Sequence, residues 1–440
     1  MRWTKRGKYG YQRSVWIQPL IVLIMLALAG CSAPWNTPST SLPTPTPQYA
    51  GGEPVLPQLQ KLYHDAPSLS GSVVLNASSW PLAGHDPANT SANDALPIRG
   101  TIHWFFQTDG PVLASPVVAG GLVVVNGGDG VLYAVDRHTG AIKWRTPLGD
   151  TLVAGTAAVA DSVVYVAAQG HGLTALRLDT GIPLWTVDTR LPIRAAPLVV
   201  GSVLFVLAGA NSLLCLDKRN GEEYWEFKSE DVLANFWPTQ GRPAIAAVDG
   251  GLVFSGLGAS TEFNVLNLRT GRKVWEQTVD SRMVGSPVYD AQLGLVFVAT
   301  WSGHIYAMNI HDGAVRWRFS LPQSGSIGAG LATGPALANE TLFIADYQGH
   351  VLALDARTGR SRWTYKASSA VVSTPLVRLV NGAAADVYVA GEDGTLLALS
   401  GVTGSQEWHV YLGELRSAPI LSGDTLFVGS IGEHGLFALQ

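Results

Sequence analysis

Cysteine is nearly absent: 440 residues hold two, Cys31 and Cys215, so a disulfide framework cannot be what holds this chain together. Charge is sparse as well, at 14% of residues, and basic charge is scarcer than acidic, with 29 Lys and Arg against 33 Asp and Glu. Five of the basic residues (Arg2, Lys5, Arg6, Lys8, Arg13) stand in the first 30 positions; without them 24 face 33 acids, about nine net negative charges. No basic stripe is left for nucleic acid, which is not an expected partner. A membrane-spanning run is also missing. Leu20–Ala29 is apolar but has the length of a signal-peptide core and is too short to span a bilayer comfortably.

What is there begins at that core. A basic head, a short apolar run and the small-residue stop Leu28-Ala29-Gly30-Cys31 resemble a bacterial lipobox, in which the cysteine is acylated and becomes the first mature residue. Residues 1–30 are therefore read as a lipoprotein signal peptide and Cys31 as the lipidation site, which places the mature chain outside the cytoplasm on a bacterial cell membrane or outer membrane. With Cys31 acylated, Cys215 has no disulfide partner within the chain; it stands where related positions hold Ala and reads as a small buried hydrophobe. Residues 31–57 carry seven prolines among Ser and Thr, a composition that buries no core and favours extended geometry, hence a tether.

From residue 100 a repeat takes over. A small residue is followed six positions later by Gly and ten positions later by Trp: Ala134, Gly140, Trp144; Ala175, Gly181, Trp185; Cys215, Gly221, Trp225; Val265, Gly271, Trp275; Ala307, Gly313, Trp317; Ala353, Gly359, Trp363; Ala398, Gly404, Trp408. Gly100 and Trp104 stand alone, and the small residue Ala438 lies at the other end of the chain. Trp-to-Trp spacings of 40 to 50 residues mean a stacked or radial repeat. Each repeat reads as four short β-branched or aromatic runs separated by Gly, Asn and Asp turns, an antiparallel meander. Its first strand opens on small residues and often Pro, as at Ser115-Pro116 and Thr374-Pro375, which suits strands crowding a common axis. The Trp of the outermost strand points toward the neighbouring repeat. Burying one indole removes ~150–250 Å² from water, roughly 4–6 kcal/mol gross at about 25 cal/mol per Å².

The expected fold is all-β: an eight-bladed β-propeller of four-stranded antiparallel blades over residues 100–440. Its last blade takes three strands from the C-terminus and one from residues 101–106, so that pairing of N- and C-terminal strands closes the ring. Residues 58–99 are expected to pack on the propeller as a lead-in. His85-Asp86 within it has no nucleophile beside it and is read as packing, not chemistry.

These motifs resemble the family of pyrroloquinoline-quinone-type (PQQ) propeller repeats, whose signature is similar to small-x-Asp-x-x-Thr-Gly-x-x-x-Trp. The resemblance implies that each Trp (Trp104, Trp144, Trp185, Trp225, Trp275, Trp317, Trp363, Trp408) docks between the small residue of its own blade and the Gly of the next. Asp136, Asp217 and Asp355 keep the family's Asp, while Arg177, Asn267, Asn309 and Ser400 depart from it, so its hydrogen bond reads as optional. Size, lipobox, tether and blade count resemble the branch of BamB-type outer-membrane assembly lipoproteins. That branch implies a non-catalytic scaffold, without cofactor or metal, expected as a monomer that binds envelope or membrane proteins such as a barrel-assembly factor. The other branch, quinoprotein-type oxidoreductases or sensors binding PQQ or another small ligand, is the alternative; its vicinal cysteines and calcium-site acids find no counterpart here.

The face carrying the loops from outer strand to next inner strand, together with the hairpins between second and third strands, is the expected partner face. The loops from Trp225 to Pro243 and from Trp317 to Pro335 are its longest, and the first holds Phe236 and Trp237. With Trp301 these aromatics are candidate anchors. Leu191-Pro192-Ile193-Arg194, before Ala195-Ala196-Pro197, is similar to a Leu-x-Leu-Arg stretch by which that branch touches its barrel-assembling partner. Hairpin residues on the same face include Asp129, His171, His304, Tyr347, His350, Glu392, Glu433 and His434; none shows paired metal-ligand spacing.

Overall fold

Short runs rich in Val, Leu, Phe and Tyr, each ended by a Gly- or Asp-containing turn, become strands throughout. A computed structural model of the chain describes residues 82–86, 90–149, 155–167, 172–193, 195–209, 211–229, 261–321, 330–331 and 333–440, with 245–248 and 252–256 described for backbone alone. The first repeat shows the construction: Val117–Ala119, Leu122–Asn126, Val131–Asp136 and Ile142–Pro147 form one antiparallel sheet in sequence order. Its two middle strands are almost wholly buried and read as continuous apolar runs, because sheets stack on both of their faces. The outer strand alternates buried and exposed residues, as an edge strand touching water must.

Sheets of the same order cover 158–188, 198–228, 245–278, 283–320, 336–366 and 376–411, and the last joins Ile420–Ser422, Thr425–Ser430 and Gly435–Leu439 to Ile102–Gln107. The expectation of eight four-stranded blades needs correction. Seven of the sheets are four-stranded; the sheet of 376–411 has five strands, because Ala92–Asp94 pairs in parallel with Leu376–Val380. The ring-closing expectation is likewise replaced by something more local: Ile102–Gln107 pairs antiparallel with Gly435–Leu439 within a single sheet, and no sheet of the described residues runs back on itself. The extra strand carries no sequence signal because Ala-Asn-Asp has little β propensity; its pairing rests on backbone groups, which any sequence carries.

Between sheets, the repeat motif does the joining. Each Trp lies opposite its small residue across the ladder, from Ala134↔Trp144 to the split pair Ala438↔Trp104. Behind the small residue, six of the sheets place, among the described side chains, an aromatic on the second strand (Phe427, Tyr165, Phe205, Phe297, Phe343, Tyr388), its ring centroid 5.6 to 6.0 Å from the indole. A larger central residue would hold the two rings apart, which is why the position is small. On the indole's other side lies the Gly of the next sheet: Gly140 on Trp104, Gly181 on Trp144, Gly221 on Trp185, Gly271 on Trp225, Gly313 on Trp275, Gly359 on Trp317, Gly404 on Trp363 and Gly100 on Trp408. Seven indole N–H groups donate to a backbone carbonyl of that next sheet, from Trp104 to Arg137 O at 3.2 Å through Trp408 to Ile98 O at 2.8 Å. At Trp185 the corresponding carbonyl, Lys218 O, accepts the Tyr165 hydroxyl.

The Asp of the motif caps its turn: Asp136 Oδ1 accepts the amides of His138 and Thr139 and the Thr139 hydroxyl, each at 3.1 Å. This bond is less optional than the sequence suggests. Asn267 makes the same three bonds, Asn309 takes the His311 amide, and the Ser400 hydroxyl takes the Thr403 amide. An amide or hydroxyl oxygen accepts as a carboxylate does, so the cap persists at these three; at Arg177, which has no acceptor and pairs with Asp179, it is absent. Where Pro falls inside an inner strand instead of before it, at Pro287 in Met283–Asp290, the ladder shifts register between Val284 and Val288.

Candidate functional site

In four of the sheets, loops and hairpins assigned to one face meet. The hairpin between second and third strands bonds the loop entering the first strand of the same sheet: Trp301 N to Arg282 O (2.9 Å), Tyr347 N to Gly330 O (3.4 Å), Glu392 N to Ala370 O (2.9 Å) and Ile431 N to Glu414 O (2.8 Å). This fixes side chains at the rim by backbone bonds, which hold position whatever the side chain is.

Trp301 is the predicted anchor that this arrangement displays best. It is half-buried, with the Arg282 guanidinium 3.9 Å from its ring centroid and the Tyr347 ring edge-on at 5.4 Å. Burial lowers the Arg282 pKa from its usual value, only partly countered by Tyr347. Tyr347 is pushed up, first by burial and then by the Glu392 carboxylate, with Arg282 and Arg416 opposing. Arg416 continues the row, 3.4 Å from Glu392 and donating from Nε to Glu414 at 2.9 Å. Arg282, Trp301, Tyr347, Glu392 and Arg416 thus line the rim of four consecutive sheets, from 283–320 to the split sheet at the chain ends. The two arginines were not singled out from sequence, since a charged loop residue carries no periodic signal.

Of the Leu191-Pro192-Ile193-Arg194 stretch, Leu191 is exposed at 36% and Ile193 is partly buried, while Arg194 lies outside the described residues. Ile193 bridges Ala208 just as Leu331 bridges Asp346, Val371 bridges Gly391 and Leu415 bridges Ser430. Its position is therefore a recurring plug under the hairpin. Leu415-Arg416, three residues before Pro419, repeats Ile193-Arg194 before Pro197, and here the arginine is described and ion-paired. Phe236, Trp237 and His171 lie outside the described residues, as do Cys31 and most of the two long loops.

Two of the hairpin histidines are held by carboxylates. His304 Nδ1 lies 2.5 Å from Asp280 and His350 Nδ1 lies 2.8 Å from Asp346. Burial is the largest influence on Asp280 and would raise its pKa, but hydrogen bonds from Ser302 and Tyr306 and the His304 charge together hold it below the usual range. No group of three or more His, Cys, Asp and Glu among the described residues could hold a metal ion. Burial pushes the Cys215 thiol up to about 12, far from reactive.

The sequence and fold match known proteins. A family model described as "Outer membrane protein assembly factor BamB" matches residues 95–153, 128–286, 215–326 and 302–438. The Burkholderia pseudomallei protein of that name is 27% identical over 256 residues, which are 54% of this chain and 62% of the relative. A crystal structure of BamB from Moraxella catarrhalis superimposes with a TM-score of 0.65 at 18% identity, covering 78% of this chain and 99% of the other. An enzyme is also among the relatives: the tetrathionate hydrolase of Acidithiobacillus ferrooxidans is 25% identical over 255 residues, 58% of this chain and 45% of its own. With its repeats matched almost from end to end of the propeller, the chain belongs to the outer membrane protein assembly factor BamB family, whose PQQ-type repeats build a β-propeller.

Proposed function

We propose that this protein is a lipid-anchored, extracytoplasmic, non-catalytic scaffold that binds proteins of the outer-membrane assembly machinery. The observation that carries the reading is the rim row of Arg282, Trp301, Tyr347, Glu392 and Arg416: a fixed pair of aromatics beside two arginines, the residue types enriched among interface hot spots. The names of the matched relatives supply the class of partner. Trp301 is the anchor, and Leu191 together with the Arg416 region supports it from other sheets.

Crosslinking in native membranes recovers an outer-membrane assembly protein with the wild-type chain, and Trp301→Ala reduces that recovery by about tenfold or more with an unchanged melting temperature. Full recovery with folded Trp301→Ala would overturn the choice of face; recovery of no envelope protein by the wild type would overturn the scaffold reading. Anchoring is checked separately. Cells given labelled palmitate incorporate it into the wild-type protein and not into Cys31→Ser, and equal labelling of the two removes Cys31 as the acylated residue.

A further inference from the structure

The described residues ahead of the first sheet bond to inner strands of several sheets. Thr90 O accepts the Leu337 amide (2.8 Å) from the inner strand of one sheet, and Ser91 O accepts the Val377 amide (2.9 Å) from that of the next. Ala92–Asp94 then pairs along Leu376–Val380, on the inner edge of its sheet. Asn93 Nδ2 donates to Leu421 O at 3.2 Å and Leu96 N to Gly423 O at 3.1 Å, both in a third sheet. Upstream, Ser91 N donates to Gly84 O at 3.0 Å, and Asp86 accepts the Thr90 amide at 3.1 Å, which ties residues 82–86 to the same segment. Leu82, 2% exposed, is buried in the cluster of sheets 158–188 and 198–228, across the circle of stacked sheets from the other three. A segment that reaches inner strands on both sides crosses the axis.

Arg378 ties the segment down. It is buried on the inner strand opposite Asn93, its Nε donates to Asp386 at 2.5 Å, and its Nη1 donates to Ala95 O at 3.3 Å. The Tyr388 hydroxyl, also buried, donates to Asp386 at 3.1 Å. A buried guanidinium needs every acceptor it can reach, and the Ala95 carbonyl comes only with the docked segment.

We propose that residues 82–86 and 90–96 are an internal plug, latched by Arg378, that closes the axial channel to small ligands. A cofactor or metabolite of quinone size has no room on the axis while the plug is seated, whatever the rim binds.

Amide hydrogen exchange on the full chain tests this. With the plug seated, the Leu337 and Val377 amides exchange at least ~100-fold more slowly than unprotected amides; rates within about tenfold of unprotected at both would overturn the plug. Arg378→Met speeds exchange at these two positions by roughly tenfold or more and leaves Thr364, in the outer strand of 336–366, unchanged. Unaltered rates would overturn the latch. Should that variant fail to fold, Asn93→Leu removes one plug contact and is read in the same way. With PQQ and calcium ions as the probe, the melting temperature of the full chain stays within about 1 °C, and a saturable rise of several degrees would overturn closure of the channel.

Discussion

Gly181→Ala is expected to destabilise the protein by about 2–5 kcal/mol, while Gly382→Ala costs only about 1–2 kcal/mol. Both glycines have positive φ, +69° and +76°, so both variants bear the strain of a left-handed L-residue. They differ in what a Cβ would meet. At Gly181 it would stand 2.4 Å from Trp144 Cε3 and 2.7 Å from Thr146 Oγ1; at Gly382 nothing lies within 4 Å. Trp144 cannot yield easily, because it is buried, sits over Ala134 and donates its N–H to Leu178 O at 2.8 Å. The comparison of the two variants by urea unfolding therefore isolates the clash from the strain. Equal losses would mean that the indole moves aside freely, and that the stacking of Gly on Trp contributes little to the join between sheets.

Trp363→Ala tests the same join from the other side and should cost about 3–5 kcal/mol, the range for removing a buried aromatic. Trp363 is buried between Ala353 of its own sheet and Gly404 of the next, with Phe343 at 5.9 Å and Gly401 O accepting its N–H at 3.0 Å. Trp363→Phe retains much of the apolar area but leaves that carbonyl without its donor, so a residual loss of about 1–3 kcal/mol remains. Hydrogen exchange should quicken first in the strands of 336–366 and 376–411, since these are the surfaces unzipped. A loss below about 1 kcal/mol for the Ala variant would show that neighbouring sheets are held by their middle strands alone.

The repeat was legible because its parts are local. A Gly with positive φ six residues after a small residue, then a Trp, encodes a turn and a plug within eleven positions, and turn chemistry does not depend on distant chain. The split sheet follows the same logic: Ala438 lacks a Trp, Trp104 lacks a small residue, and the two pair in the fold while Gly100 seats on Trp408. The aromatic on the second strand was present in the sequence as Tyr165, Phe205 or Phe343, but its partnership with Trp depends on cross-strand register, which no spacing along the chain reveals.

The rim was only partly legible. Trp301 could be named because a large aromatic in a hairpin turn is unusual, whereas Arg282 and Arg416 are ordinary until the stacking of sheets brings one over an indole and the other between two carboxylates. Likewise Ile193 resembled a surface contact in sequence, and only the bridge it shares with Leu331, Val371 and Leu415 shows its structural duty.

By itself, then, the sequence determined the all-β repeat and the side chains that wedge its sheets together, because each is written in residues a few positions apart. Tertiary structure alone decided that Ala92–Asp94 becomes a fifth strand on the inner edge of its sheet and that Arg378 reaches the carbonyl of Ala95. Those contacts are made by backbone groups and by one buried cation some 280 residues downstream, and neither leaves a periodic mark along the chain.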